Sequence, residues 1–152
     1  MKLPQPLVPA LFLRRDNRFR VTVEMDGHPV AAHLPNSGRL GEILVPGRTL
    51  WLTPGITPGR KTAYDVVLAT VGDTLVSVDA RLPGHLLAEA LTAGGLAAFI
   101  AYRSFQREVR LGESRLDFLL TDEPSGSRCW VEVKSVTLVI NGVGRFPDAP
   151  TT

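Results

Sequence analysis

The stretch RFRVTVEMDGHPVAAHLP, residues 18–35, restricts the fold more than any other part of the chain. Its apolar residues alternate with other residues on both sides of Asp26-Gly27. Alternate residues of a strand share one face, so this pattern predicts strands with one buried side. Asp-Gly is a strong signal for a two-residue hairpin turn. The stretch is therefore predicted to form a β-hairpin.

Two later stretches extend this β-rich part. RTLWLTPG and AYDVVLATVGDTLVSVDA are predicted strands, and the second stretch contains a turn around Gly72-Asp73. Five short strands with Gly- and Pro-containing turns in about 80 residues are typical of a small barrel or sandwich. Residues 1–81 are accordingly predicted to form an all-β domain.

The pattern changes near Leu82. HLLAEALTAGGLAAF has apolar residues at helical spacing and a stop signal at Gly94-Gly95, which together predict a helix. SFQREVRLGESRLDFLLTD predicts two strands that turn at Gly112, and a third strand is predicted over 129–139. Residues 82–152 are therefore predicted to form a second domain, and the fold class of the chain is mixed α/β.

Composition limits the classes of function. Residues 1–62 carry nine basic and four acidic side chains, whereas the remainder carries eight basic and eleven acidic ones. A basic half suggests a polyanion-binding module joined to a unit with a different function. The single cysteine, Cys129, excludes an intrachain disulfide and a zinc cluster of several cysteines. The three histidines have no partner at ligand spacing and are predicted to be structural.

Location follows from apolar segments and their interruptions. No apolar run reaches the roughly 18 residues of a membrane-spanning helix. Pro4, Pro6 and Pro9 interrupt the N-terminal apolar stretch, which argues against a signal peptide. We therefore expect a cytoplasmic protein with no membrane partner.

Three charged residues stand within apolar strands: Asp117 in RLDFLL, and Glu132 and Lys134 in CWVEVKSVT. Glu132 and Lys134 share a strand face, and antiparallel pairing of the two strands would bring Asp117 beside Glu132. Adjacent carboxylates repel each other, and a hard cation such as Mg²⁺ relieves that repulsion. Lys134 could orient a water molecule or neutralise charge on a phosphate. The alternative is a surface ion pair on a half-exposed strand.

The order of a helix bearing Glu89, a hairpin bearing Asp117 and a strand bearing E-x-K resembles the core of the PD-(D/E)xK nuclease superfamily. HLPNSGRLGEIL, GRKTAYDVVLA, SRLDFLL, WVEVKSVTLV and FPDAPTT together resemble the sugar fermentation stimulation protein A family. This resemblance implies DNA binding, and an OB-like five-stranded β-barrel followed by a partial α/β PD-(D/E)xK nuclease-like domain. It implies Asp117, Glu132 and Lys134 as catalytic residues, and Asp117, Glu132 and Glu89 as ligands of Mg²⁺ or Mn²⁺.

Two departures from the family pattern bear on activity. Leu116 stands where the superfamily's name has a proline, and family members continue beyond Thr152 with a further helix and strand. We therefore expect the nuclease-like domain to be incomplete at its C-terminal end. Such a domain would carry an unpaired apolar strand edge. It would then be loosely held, or it would be stabilised by a partner chain, as in a homo-oligomer.

OB-folds bind single strands through a basic groove and stacking aromatic residues. The candidate nucleic-acid contacts are Arg18, Arg20, Asn36, Arg39, Arg60, Lys61, Trp51 and Tyr64. Trp51 could instead fill the core or the sheet edge. Asn36-Ser37-Gly38 could form an anion-binding turn with Arg39 beside it, or a structural turn in which Arg39 pairs with Glu42.

Three functions remain open from the sequence. The first is a metal-dependent nuclease, or its remnant, acting on single- or double-stranded DNA. The second is a nucleic-acid-binding or regulatory module without catalytic activity. The third, a small-ligand or scaffolding domain, is disfavoured by the charge distribution and by the family resemblance.

Hydrogen exchange tests the expected incompleteness of the second domain. A core of about 70 residues is marginal on its own, so amides in residues 115–138 should exchange rapidly in a monomer. The measurement is amide exchange followed by mass spectrometry on a sample shown to be monomeric. Slow exchange throughout 115–138 would contradict the prediction.

Overall fold

The computed structural model describes residues 1–146, so most of the FPDAPTT motif lies outside the described residues. The regular elements, in chain order, are β1 Val8–Asn17, β2 Arg20–Met25, β3 His28–His33, β4 Thr49–Pro54, β5 Tyr64–Val71, β6 Thr74–Ser77, α1 Leu82–Thr92, a 3₁₀ turn Ala97–Phe99, β7 Ser104–Leu111, β8 Ser114–Asp122, β9 Ser127–Val131, β10 Val139–Ile140 and β11 Val143–Gly144. Within residues 1–146, strands predominate and α1 is the one α-helix.

The chain divides into two compact units. The barrel unit comprises Lys2–Arg81 and the described residues from Val136 onward. The sheet unit comprises Leu82–Ser135 together with Met1. No helix in the described part of the chain is long and apolar enough to cross a membrane.

The first five strands form a closed barrel. Neighbouring strands follow the order β3-β2-β1-β4-β5, and a parallel pairing of β3 with β5 closes the circle. β6 pairs with residues 68–71 of β5, whereas β3 pairs with Tyr64 and Asp65 of the same strand. The predicted barrel is confirmed, and its five strands agree with the OB-like fold that the family resemblance implies.

The predicted hairpin is β2–β3. Its register ends at the pair Met25↔His28, and both turn residues have positive φ, 51° at Asp26 and 77° at Gly27. Two positive φ values in a two-residue loop match the twist of the flanking strands. Phe19, which alternation placed on the buried face, is 49% exposed because it lies in the β1–β2 turn before β2 begins.

Alternate strand residues fill the barrel interior. The strand residues of the barrel with no exposed surface are Val21, Val23, Ala32, Leu50, Leu52, Val66 and Ala69. The long connection between β3 and β4 adds Leu34, Leu40 and Ile43 to the same core. Burial of each large aliphatic side chain contributes about 1.5–3 kcal/mol, which makes this interior the main source of the unit's stability.

An ionic cluster of His33, Arg60 and Asp65, the closure cluster, lies where the barrel closes. Only two residue pairs join β3 to β5, Ala32↔Tyr64 and His33↔Asp65. His33 Nδ1 lies 2.7 Å from Asp65 Oδ1, and Arg60 donates to both carboxylate oxygens, with Nη1 2.7 Å from Oδ2. Burial opposes ionisation of Asp65, but the hydrogen bonds and charges of Arg60 and His33 outweigh it and hold its pKa below the ordinary value.

The sheet unit contains α1 and one antiparallel sheet in the order β7-β8-β9. Its buried side chains are three consecutive residues of β8, Phe118, Leu119 and Leu120. None of the side chains of α1 is buried. A helix followed by three strands is therefore present, whereas a nuclease-like α/β core is not confirmed by these elements.

The strand predicted over 129–139 is wrong in its extent. β9 ends at Val131, and residues 132–138 have no regular structure. The N–H of Val133 donates to Asp117 Oδ2 at 2.7 Å. In a continued β-ladder a main-chain carbonyl would accept such a hydrogen bond, but here the acceptor is a side-chain carboxylate. Val139 and Ile140 instead form β10, which pairs with β11 in the barrel unit.

The closure cluster predicts an acid-sensitive contribution to stability. A depressed carboxyl pKa stabilises the fold above the unfolded value of about 4, and this contribution is lost as pH falls through the lower folded pKa. Asp65→Asn should lower the free energy of unfolding by about 2 kcal/mol at pH 7, because it weakens hydrogen bonds to charged partners. The difference from the parent should shrink below about pH 4 in urea titrations. Asp73→Asn, in the exposed β5–β6 turn, is the matched control. An equal loss in both variants, or a loss independent of pH, would contradict this account.

Candidate nuclease-like site and nucleic-acid surface

Asp117 lies on the central strand of the sheet unit, beside the Glu132-Val133-Lys134 segment. The β8–β9 register ends at the pair Phe118↔Val131, and Asp117 and Glu132 are the residues that adjoin this pair on the two chain segments. The hydrogen bond from the Val133 N–H to Asp117 Oδ2 ties the carboxylate to that segment. Asp117 is half-buried, with buried Phe118 as its neighbour in β8.

Glu132 and Lys134 contact each other directly. The Lys134 ammonium donates to Glu132 Oε1. The side chain of Glu132 is 40% exposed and that of Lys134 is 54% exposed. This exposure fits the surface ion pair that was the alternative interpretation, and such pairs contribute little to stability. It also leaves both groups accessible to a ligand at the position beside Asp117.

Glu89 is placed differently from the other predicted ligands. It lies on α1 with its side chain 53% exposed, and it pairs with the N-terminal ammonium of Met1. Residues 1–146 contain no group of three or more His, Cys, Asp or Glu side chains arranged to hold a metal ion. Glu89 is therefore not gathered with Asp117 and Glu132 into one such group.

The predicted nucleic-acid contacts on the barrel unit fall into two groups. Arg18, Arg39 and Lys61 are exposed. Arg20 pairs with Asp16 at 3.4 Å. Arg60 is engaged by Asp65 in the closure cluster, and that hydrogen bond raises the pKa of its guanidinium above the ordinary value.

The two aromatic candidates are both half-buried. Trp51 stands between the buried residues Leu50 and Leu52 on β4, so its side chain lies outside the barrel core. Its Nε1 donates to Thr70 Oγ1 at 3.0 Å. Tyr64 packs against the barrel core. Trp51 thus faces away from the barrel core, whereas Tyr64 packs against it.

Asn36 has a structural role in the predicted tight turn. It is 8% exposed, its Nδ2 donates to the Val78 carbonyl at 3.0 Å, and its Oδ1 accepts from Gly38 N at 2.8 Å. The second of these bonds is an Asx turn. In residues 1–146 no ion pair joins Arg39 to Glu42, and Glu42 Oε1 instead accepts from Thr137 at 3.0 Å.

Arg15 was not singled out by the sequence, yet it organises this turn. Its guanidinium donates to five main-chain carbonyls, those of Asn17, Arg18, Asn36, Gly38 and Arg39, over 2.5–3.1 Å. Burial lowers its pKa, with a further contribution from the nearby charge of Arg18. Alternation along β1 gave no reason to separate Arg15 from its neighbour Arg14, because both are long cations in a strand.

Comparison with known domain families accounts for almost all of the chain. The family described as SfsA N-terminal OB domain matches residues 13–78, and the sugar fermentation stimulation protein RE domain matches residues 81–152. The chain belongs to the sugar fermentation stimulation protein family. Members of this family therefore provide the comparison for both units.

Curated relatives are similar along nearly the full chain. The sugar fermentation stimulation protein homolog of Moorella thermoacetica is 51% identical over 152 residues, which cover 99% of this chain and 65% of the relative. The homolog of Chloroflexus aggregans is 47% identical over 146 residues, covering 96% of this chain and 55% of the relative. The chain thus spans less than two thirds of the length of these relatives.

A solved structure of the family has the same fold. The structure of Pyrococcus furiosus SfsA in complex with Ca²⁺ matches with a TM-score of 0.85 and 34% sequence identity. The match covers 97% of this chain and 62% of that one. The arrangement of strands described above is therefore shared with a solved member of the family.

The Arg15 contacts predict a selective loss of stability. Arg15→Ala removes a cation that satisfies several main-chain carbonyls. Because partly buried acceptors are then left unpaired, the free energy of unfolding should fall by about 1–3 kcal/mol. Urea unfolding at pH 7 should show a loss in this range. Arg14→Ala is the matched control, because Arg14 is exposed and contacts Asp16. Equal stability of the two variants would contradict a structural role for Arg15.

Proposed function

We propose that this chain binds DNA and carries, in its sheet unit, a metal-dependent site for phosphodiester cleavage formed by Asp117, Glu132 and Lys134. The observation that carries the proposal is the position of the Asp117 carboxylate, tied at 2.7 Å to the main chain between Glu132 and Lys134. Glu132 and Lys134, which would supply the second carboxylate and the ammonium, flank that main-chain group in the sequence.

The side chains present fit a hard divalent cation. Asp117 uses Oδ2 to accept from Val133, and within residues 1–146 its Oδ1 has no hydrogen-bond partner. Glu132 uses Oε1 for Lys134, which leaves Oε2 for a ligand. Carboxylate oxygens are the ligands preferred by Mg²⁺ and Ca²⁺, and Mn²⁺ accepts the same donors. The Ca²⁺ complex of the Pyrococcus furiosus relative supports this choice.

Asp117 and Glu132 would hold the ion, and Glu89 would join them only on leaving the Met1 ammonium. When bound, such an ion polarises a phosphoryl oxygen and makes a coordinated water more acidic. Lys134 would neutralise charge that develops on the phosphate, or orient the attacking water through its ammonium. The Val133 N–H holds Asp117 in a fixed orientation, which preserves the geometry between turnovers.

The barrel unit supports the DNA-binding part of the proposal. It matches an OB domain, and OB-folds bind nucleic acid through basic grooves and stacking aromatics. Arg18, Arg39 and Lys61 supply exposed cations, and Trp51 supplies an aromatic surface outside the core. A cytoplasmic location belongs to the same proposal, because that compartment holds DNA and suits a chain with one free thiol.

A second candidate function is nucleic-acid binding without catalysis. The direct Glu132–Lys134 pair favours it, because that contact neutralises a predicted ligand. In this case the acidic residues would shape only the fold. Binding would weaken steeply with salt and would be indifferent to loss of the Glu132 charge.

One assay separates the two candidates. Labelled single- and double-stranded DNA is incubated with the parent, Glu132→Gln and Asp117→Asn, in Mn²⁺ or in chelator. We expect cleavage by the parent with metal only, and a loss of roughly 100-fold or more in each variant. Glu123→Gln, an exposed acid in the β8–β9 turn, is the matched control and should cleave like the parent. An intact but shifted band for all proteins would support binding alone, and an absence of both shift and cleavage would contradict both candidates.

A further inference from the structure

The sheet unit carries a row of basic side chains next to the acidic pair. We propose that Arg110 and Arg115, together with Lys134, bind the phosphate backbone of a DNA strand as it crosses the Asp117–Glu132 site. The inference rests on the proposed function and deepens it, because it assigns the DNA contacts of the same site. These contacts lie in the sheet unit and are separate from those predicted on the barrel.

Strand register places the two arginines side by side. Arg110 and Arg115 are direct partners in the β7–β8 register. Lys134 belongs to the irregular segment after β9, where it contacts Glu132 and where the N–H of its neighbour Val133 donates to Asp117 Oδ2. Arg115 and Asp117 are two residues apart on β8, so they share a face of the sheet. The acidic row, Asp117 with the adjoining Glu132, and the basic row, Arg110 with Arg115, are therefore neighbours in the sheet unit.

An ion pair supports this assignment of the face. Arg115 Nε lies 2.9 Å from Glu108 Oε2, a diagonal contact across β7 and β8. Glu108 has a positive φ of 57° and lies between Arg107 and Val109, which pair with Phe118 and Leu116 of β8. The Arg115 side chain is nevertheless 66% exposed, and Arg110 is exposed. Both guanidinium groups are consequently accessible to a ligand in solvent.

The spacing suits a polynucleotide backbone. Alternate residues of a strand are about 7 Å apart, which is the distance between the acidic row and the basic row. A phosphate placed at the acidic pair would thus have a neighbouring phosphate within reach of the arginines. The guanidinium fork fits phosphate oxygens in a bidentate arrangement, which favours this ligand.

Other basic residues of the sheet unit provide contrasts. Arg107 lies over the Phe118 ring, with Cζ 5.6 Å from the ring centroid, so it contributes to packing on the opposite face. Arg128 is paired with Thr121 at the far end of the sheet, four residues along β8 from Asp117. That separation is about 13 Å. Arg128 therefore shares the charge of Arg110 but lies away from the acidic row.

The test is DNA binding measured by fluorescence anisotropy on a labelled duplex, with Ca²⁺ as the only divalent cation and NaCl varied. Arg110→Ala and Arg115→Ala should each weaken binding about five- to tenfold, and the slope of log Kd against log salt should fall by roughly 0.9 for each lost phosphate contact. Arg110→Lys should retain most of the affinity. Arg128→Ala should bind like the parent with an unchanged slope. Equal losses in Arg128→Ala and Arg110→Ala would overturn the proposal, as would unchanged binding in Arg110→Ala and Arg115→Ala.

A second readout moves in the opposite direction. Ca²⁺ affinity is measured by calorimetry in the absence of DNA. Removal of a cation beside Asp117 and Glu132 reduces repulsion of Ca²⁺, so Arg110→Ala should bind Ca²⁺ as well as or more tightly than the parent. An unfolded variant would not bind Ca²⁺ more tightly while it binds DNA more weakly, so the two results together exclude unfolding as the cause. Weaker Ca²⁺ binding in Arg110→Ala would overturn the proposal.

The two measurements also separate this proposal from the proposed function. If the parent binds no Ca²⁺ but Arg110→Ala still lowers the salt slope, the metal site fails while the basic row stands. If Glu132→Gln loses Ca²⁺ binding while the arginine variants bind DNA like the parent, the metal site stands and the basic row fails. Competition by polyglutamate equal to that by unlabelled DNA would assign the row to acidic peptides and overturn the proposal.

Discussion

The parallel contact between β3 and β5 is the constraint on which the barrel unit depends. Four of the five strand pairs in the barrel are antiparallel, whereas this closing pair is parallel and consists of two residue pairs. Such a short ladder offers few main-chain hydrogen bonds, and the charged contacts of Asp65 with His33 and Arg60 add to it. The long β3–β4 connection, with its buried leucines and isoleucine, completes the interior that this closure encloses.

The same connection supplies the Asn36 turn, which links closure to the surface proposed for nucleic acid. Asn36 is anchored inward to Val78, and Arg15 holds the carbonyls of the turn from β1. Arg39 is therefore presented from a fixed main chain. Rigid support of this kind reduces the entropy lost when an exposed cation contacts a ligand.

In the sheet unit, Asp117 links fold and proposed chemistry. Its carboxylate accepts the Val133 N–H where β9 has ended, and the segment carrying Glu132 and Lys134 lies against it. Asp117 therefore has a role in the fold, as the acceptor of a main-chain hydrogen bond, and in the proposed site, where it would help to hold a divalent cation. The basic row of Arg110 and Arg115 follows from the same register, because strand pairing places whole rows of side chains next to each other.

Local patterns in the sequence determined much of this protein. Alternating apolar residues and Asp26-Gly27 predicted the β2–β3 hairpin, turn-separated strands predicted the barrel, and the E-x-K spacing predicted that Glu132 and Lys134 would lie together. Only the tertiary structure decided which hydrogen-bond donors meet which acceptors and which charges pair. The end of β9 at Val131, the capture of Glu89 by Met1, the inward role of Asn36 and the five carbonyls bound by Arg15 each depend on partners that are distant in sequence or on main-chain geometry. Periodicity reports which face of a strand a residue occupies, but it carries no information about the acceptor that its side chain meets.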